Sequence, residues 1–171
     1  NKYLLKNKIF KFIAVGQLNY QKDHQFLLKT LKNIQVLNRF SFQLDIYGEG
    51  QEMKNLKKLI IDLGLSNYVN LKGWHNNPWD QQQYIGHFLS SNWEGYPNVL
   101  VEAAYHNIPS LIVPIPPCTS EIIRENNIGF VSNERTIDSY SSLISNYMED
   151  LLEGKNYNFQ FISFLNKHNP L

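Results

Sequence analysis

At 171 residues the chain can bury one proper core, so a single domain is expected, and sixteen Lys and Arg against fifteen Asp and Glu leave a formal charge of +1. That balance excludes the basic footprint of a nucleic-acid binder, and 43% hydrophobic with 13% aromatic residues excludes a disordered chain. The single cysteine, Cys118, excludes an internal disulfide framework and fits a reducing compartment, and no apolar run approaches transmembrane length.

Strand-like and helix-like segments alternate along the chain. Residues 9–16 form an apolar run stopped by Gly16, and 22–37 show helical spacing through Phe26, Leu27, Leu31 and Ile34. Residues 42–47 read as a strand closed by Gly48-Glu49-Gly50, and 53–63 as an amphipathic helix ending at Gly64. A short strand at 68–71 precedes Gly73, a brief helical turn is expected over 78–83, and a strand over 84–89. A helix from Pro97, a strand at 110–113, a helix over 119–125 and a short strand at 130–131 follow. Helices over 137–152 and 159–166 complete the series. This alternation predicts an α/β fold, a Rossmann-like parallel sheet flanked by helices. The core is expected over about 9–153 with a C-terminal helical segment over 156–168. The start, Asn1-Lys2-Tyr3 without a methionine, reads as a piece of something longer.

The polar and glycine-rich breaks at 17–22, 48–50, 73–77, 94–98 and 116–120 all follow predicted strands. They therefore line up at the carboxyl edge of the sheet, where such folds bind ligands. One break carries more chemistry than the others. In Ser91-Asn92-Trp93-Glu94-Gly95-Tyr96-Pro97-Asn98-Val99-Leu100-Val101-Glu102-Ala103, two carboxylates stand eight positions apart around a glycine turn and a helix start. Pro97 suits the first helical position, where its missing N–H costs nothing. Open backbone N–H groups at that helix start favour a phosphate, whereas the carboxylates accept hydrogen bonds from sugar hydroxyls. Both chemistries side by side point to a sugar attached to phosphate.

With these residues in view the chain resembles the C-terminal half of a GT-B glycosyltransferase of family 4, over roughly residues 12–132. The matching pieces are Ala14-Val15-Gly16-Gln17-Leu18 with Lys22, Ile46-Tyr47-Gly48-Glu49-Gly50, and Leu71-Lys72-Gly73-Trp74. The Glu94–Glu102 segment, Ile108-Pro109, Ser120-Glu121-Ile122-Ile123 and Gly129-Phe130-Val131 follow in the same order. The resemblance implies a retaining transferase that uses a nucleotide-sugar donor, with UDP favoured, and no metal or other cofactor. It also implies that the acceptor domain is an N-terminal partner absent from this chain, which by itself would bind donor but transfer little. Carried over by position, Glu102 resembles the carboxylate that holds the ribose hydroxyls. Glu94 resembles the one at the transferred sugar and is the residue placed at the catalytic centre. Lys22 resembles the lysine paired with the diphosphate, and Gly95, Tyr96, Pro97, Asn98, Val99 and Leu100 the stretch facing donor sugar and diphosphate. Gly73 and Trp74 resemble the loop that reads the base, with Gly48 and Gly50 as a neighbouring wall. Members of the family commonly build polysaccharides in bacteria, on glycan or lipid-linked acceptors. That implies cytoplasmic work, peripheral to the inner face of a membrane.

Three features depart from the family pattern. Gln17 stands where an arginine usually accompanies the lysine, and a neutral donor stabilises a dianion less than a guanidinium does. Pro116-Pro117-Cys118-Thr119 replaces a loop that is commonly glycine-rich, and Gly86-His87 breaks an otherwise apolar strand. These departures motivate a rival reading, a non-catalytic nucleotide-sugar-binding or assembly module, and a different GT-B enzyme such as a sugar-nucleotide epimerase is a third. The five histidines show no metal spacing. Trp74 and Trp79 read as core covers or base-stacking platforms. The aromatic run Tyr157, Phe159, Phe161 and Phe164 reads as a packing face that could reach a partner domain.

Overall fold

The computed structural model describes residues 8–168. Its strands are β1 (Ile9–Val15), β2 (Ser41–Tyr47), β3 (Val69–Gly73), β4 (Gly86–Leu89), β5 (Ser110–Ile112) and β6 (Gly129–Val131). The helices are α1 (His24–Leu37), α2 (Met53–Asp62), α3 (Asn98–Tyr105), α4 (Thr119–Asn126), α5 (Ile137–Leu152) and α6 (Phe161–His168). The strands make one parallel sheet in the order β3-β2-β1-β4-β5-β6. Strands covered on both faces should be apolar almost throughout, and Phe12, Ile13, Ala14, Leu44, Ile46, Phe88, Leu111 and Ile112 are all buried. Helices α1, α2 and α5 pack together, while α3 and α4 both contact α6. With right-handed crossovers these two sets cover opposite faces of the sheet.

The strand order reverses direction between β1 and β4. From β1 the chain builds outward to β3, and from β4 it builds the other way to β6. The helices that follow β1 and β4 therefore run to opposite faces of the sheet, and the switch-point crevice lies at the carboxyl ends of these two strands, where their loops meet. The predicted alternation of strands and helices matches this architecture.

Several boundaries differ from the sequence reading, each for a local reason. Helix α1 starts at His24 instead of 22, because Asp23 takes a left-handed conformation (φ 45°) and its side chain caps the Phe26 N–H. Lys22 is thereby left in the turn before the helix. The 78–83 segment forms a turn closed by Gln81 N–H to Pro78 O in place of a helical turn, and β4 begins only at Gly86. Helix α3 begins at Asn98, with Pro97 as the flanking residue. Helix α6 runs two residues later than expected, and its buried Phe161 and Phe164 are used within this domain.

The Gly86-His87 break also gains an explanation. A Cβ at Gly86 would lie 2.7 Å from Leu111 Cδ1 and 3.1 Å from the Phe12 ring, so glycine here lets these core side chains pack close to the strand without shifting. His87 pairs in register with Ser110 on β5, and its Nδ1 lies 3.0 Å from the Ser110 hydroxyl. The Trp79 ring meets the imidazole edge-on at 5.4 Å. Burial pushes the His87 pKa down to about 3, with the Lys22 charge acting in the same direction. His24, at the start of α1, is lowered to about 4 by burial and then by Lys22.

Both histidines fold neutral, whereas the unfolded chain takes up their protons below about pH 6.5. The unfolded state then binds more protons, so stability falls as the pH drops from 6.5 towards 4. From pH 7 to 5.5 the two together should remove about 2–3 kcal/mol. Urea unfolding at the two pH values measures the loss, and His24→Gln should remove about half of it.

Candidate active site in the crevice between β1 and β4

Backbone bonds between adjacent strand-end loops form one wall of the crevice. Gly16 N–H donates to Tyr47 O, Leu18 N–H to Glu49 O, Gly48 N–H to Gly73 O and Glu52 N–H to Leu18 O, all at 2.8–3.0 Å. The loops approach so closely that a Cβ at Gly48 would sit 1.9 Å from Gly16 O, and one at Gly50 2.3 Å from Leu18 O. Only glycine fits at either place. Gly48, Gly50 and Gly73 thus shape the wall through their backbones, while Trp74 next to them is 70% exposed. Gln17 is exposed at the rim, and its side-chain oxygen accepts from Asn19 Nδ2.

Across the crevice the β1–α1 loop is stitched to the β4–α3 loop. Asn92 N–H donates to Gln21 O at 2.7 Å, Asn92 Nδ2 to Tyr20 O at 2.8 Å and Gln21 Nε2 to Trp93 O at 3.1 Å. The Ser90 hydroxyl donates to the Lys22 and Asp23 carbonyls. This stitching brings Lys22 Nζ to 2.7 Å from Glu94 Oε1, with Glu94 only 6% exposed. Ser91 Oγ donates to the same oxygen, and Glu94 N–H donates to Pro116 O at 3.2 Å. Asn19 Oδ1 accepts the Lys22 N–H and holds the turn that aims the lysine. Arg135 locks the arrangement from behind. It donates to the carbonyls of Ser90 and Ser91, to Asn92 Oδ1 and to Asp23 Oδ2, and lies over the Phe26 ring at 5.0 Å.

Beyond Glu94 the chain turns into α3. Asn98 N–H donates to Tyr96 O and Leu100 N–H to Pro97 O. Among the described residues Gly95 and Tyr96 donate their N–H groups to nothing. These two open donors lie between the buried carboxylate and the positive end of a helix. The side chains of Val99 and Leu100 are buried in the core, so only their backbones could face a ligand, and Asn98 is exposed. Tyr96 is half exposed, with its hydroxyl 3.0 Å from His168 Nδ1 on α6.

Glu102 lies one turn further along α3, away from the Lys22 pair, and is exposed. Its Oε2 accepts a hydrogen bond from Trp79 Nε1 at 3.1 Å. Glu102 and Trp79 border an open cavity of about 390 Å³ shared with Asn76, Pro78, Tyr105 and His106. The structure therefore brings Gln17, Lys22, Gly48, Gly50, Gly73, Glu94 and Gly95 to one sheet edge and sets Glu102 in a neighbouring hollow. Among the described residues no three His, Cys, Asp or Glu side chains come together as a metal set. No helix there is long and apolar enough to cross a membrane.

The family model for glycosyl transferases group 1 matches residues 1–161. The chain belongs to that family. An uncharacterised glycosyltransferase of Methanocaldococcus jannaschii is 37% identical over 102 residues, covering 58% of this chain and 25% of the relative. The GtfA subunit of a UDP-N-acetylglucosamine–peptide N-acetylglucosaminyltransferase from Streptococcus agalactiae is 26% identical over 154 residues, 88% of this chain and 30% of the relative. This group 1 chain thus spans less than a third of the length of either relative. Among solved structures, a variant of S. aureus TarM in complex with UDP superposes with a TM-score of 0.79 over 96% of this chain and 34% of that one, at 20% identity. The fold is that of the Rossmann-like C-terminal domain of a GT-B glycosyltransferase.

Sequence reasoning missed Ser91, Asn19, Arg135 and the Trp79 contact. Arg135 had no signal, because its partners at 23 and 90–92 are far away in sequence. Trp79 carried a weak one, as a tryptophan in a polar stretch, but nothing along the chain pairs it with Glu102.

Lys22→Met leaves the buried Glu94 carboxylate with one hydroxyl and should cost about 1–3 kcal/mol of stability. Adding Glu94→Gln should recover most of that loss, because an amide needs no counter-charge. Chemical denaturation of the single and double variants checks both.

Proposed function

We propose that the crevice holds a nucleotide sugar, with UDP as the nucleotide, and that this is the donor-binding domain of a retaining, metal-independent glycosyltransferase. The carrying observation is the Lys22–Glu94 pair, 2.7 Å apart, beside the open Gly95 and Tyr96 N–H groups. As the sugar leaves, charge develops on the nucleoside diphosphate. The Lys22 ammonium and the Gly95 and Tyr96 N–H groups, in the loop just before α3, would stabilise it. Glu94 accepts hydrogen bonds from hydroxyls of the transferred sugar and orients that ring over the diphosphate. Glu102 takes the ribose hydroxyls, and the Gly73-Trp74 loop faces the base. UDP is supported by the UDP bound to TarM and by the UDP-sugar named for the Streptococcus agalactiae relative.

A full-length enzyme would add an N-terminal acceptor domain, with a glycan or lipid-linked acceptor. It would work in the cytoplasm, peripheral to the inner face of a membrane. This chain alone is then expected to bind donor and to transfer little. A second reading, a non-catalytic binding or assembly module, is favoured by neutral Gln17 and by the donor-poor Pro116-Pro117 loop. Transfer or donor hydrolysis by the full-length protein eliminates it.

Calorimetry with UDP, GDP and their sugars tests the main reading. Binding of UDP and its sugars in preference to GDP is expected, and no binding by any of them at millimolar concentration would overturn it. Glu102→Ala should weaken UDP binding by about 1–3 kcal/mol, roughly 5- to 150-fold. An unchanged affinity removes Glu102 from the site.

A further inference from the structure

Trp79 is 5% exposed and lies on a polar stretch between β3 and β4, where a core cover would do. Its ring is held on two sides. His106 stacks on it at 6.0 Å with an interplanar angle of 15°, and buried His87 meets it edge-on at 5.4 Å. His106 is itself tied down, with Nδ1 3.0 Å from Asp80 Oδ1. The indole has a single polar atom, and the two imidazoles fix where it points. It points at Glu102 Oε2, on the border of the open cavity.

We infer that Trp79 is a positioning residue that sets the Glu102 carboxylate to accept the paired 2′- and 3′-hydroxyls of a ribonucleotide. The inference rests on the nucleotide site proposed above. A carboxylate accepts about four hydrogen bonds, and Trp79 takes one, leaving Oε1 and part of Oε2 for a ligand. The indole is neutral, so it orients the carboxylate without removing the charge that makes it a strong acceptor. An unrestrained glutamate on an exposed helix turn would spread over several rotamers and lose side-chain freedom on binding. Fixing it beforehand favours ligands that present both hydroxyls, so Trp79 contributes selectivity for ribose over 2′-deoxyribose.

The test compares UDP with 2′-deoxy-UDP on the wild-type chain and on Trp79→Phe, which keeps the ring stack and removes the N–H. UDP affinity is expected to fall about tenfold, with 2′-deoxy-UDP affinity changed less than about twofold. Equal losses for both ligands, or none for either, overturn the assignment. A second measurement uses unaltered protein and keeps the test decisive if Trp79→Phe does not fold. The Trp79 indole N–H resonance should shift on adding UDP and shift less with 2′-deoxy-UDP, and equal or absent shifts overturn the inference. The two readings fail differently. A wild-type chain that binds no UDP sinks the nucleotide site itself. A chain that binds UDP through Glu102 but ignores the Trp79 change sinks only the positioning role.

Discussion

The Lys22–Glu94 ion pair is the constraint around which this sheet edge is organised. A carboxylate 6% exposed is costly unless a cation and further donors compensate it. Compensation here comes from a lysine on the neighbouring loop and from the Ser91 hydroxyl. To deliver that lysine, the β1–α1 loop must lie against the β4–α3 loop, and the bonds from Ser90, Asn92 and Gln21 hold it there. Arg135 then occupies the carbonyls and the Asp23 carboxylate that this contact leaves behind. The same pair gives the proposed function an economical physical basis. In the free protein Glu94 and Lys22 satisfy each other, and a bound diphosphate would offer the lysine a second anion while sugar hydroxyls donated to the glutamate.

The glycine wall serves the same geometry from the other side. Three strand-end loops zip together through backbone bonds, and Gly48 and Gly50 allow a contact that any side chain would block. Against that wall the Lys22 side chain is held on its way to Glu94. Its stem packs over Gly16, where an added Cβ would lie 3.1 Å from the lysine Cε.

The fold was largely legible because parallel strands and their helices carry local patterns: apolar runs, glycine stops and helical stripes. Boundaries failed where one residue overrode its neighbours. Asp23 in a left-handed conformation delayed α1, and the polar stretch after Pro78 closed a turn where a helical turn was expected. His87 looked like a flaw in a strand because its partner, Ser110, is 23 residues away on β5. The candidate site divides in the same way. Glu94 and Glu102 stood out through their eight-residue spacing around a strand-end break and a helix start, and Lys22 through the family resemblance of the segment that precedes it. The residues that set their orientation did not, since Arg135 reaches Asp23 across 112 positions and Trp79 reaches Glu102 across 23.

The two glutamates, so alike in the sequence, occupy opposite physical regimes. Glu94 is buried and neutralised by a cation at 2.7 Å, so its charge cannot be exposed without a replacement partner. Whatever enters must supply one, and a ligand carrying both hydroxyls and an anion for Lys22 does so without stranding either group. Glu102 is exposed and held by one neutral N–H at 3.1 Å, so water keeps its charge stable and a ligand need only displace that water. Its energetic problem is entropy, which a fixed rotamer reduces. In the proposed site Glu94 is thus the group that a ligand would have to match in charge, and Glu102 the one it would have to match in shape. The first arrangement suits the reacting end of a nucleotide sugar and the second its ribose, and that difference, more than the eight-residue spacing, is what supports two distinct roles.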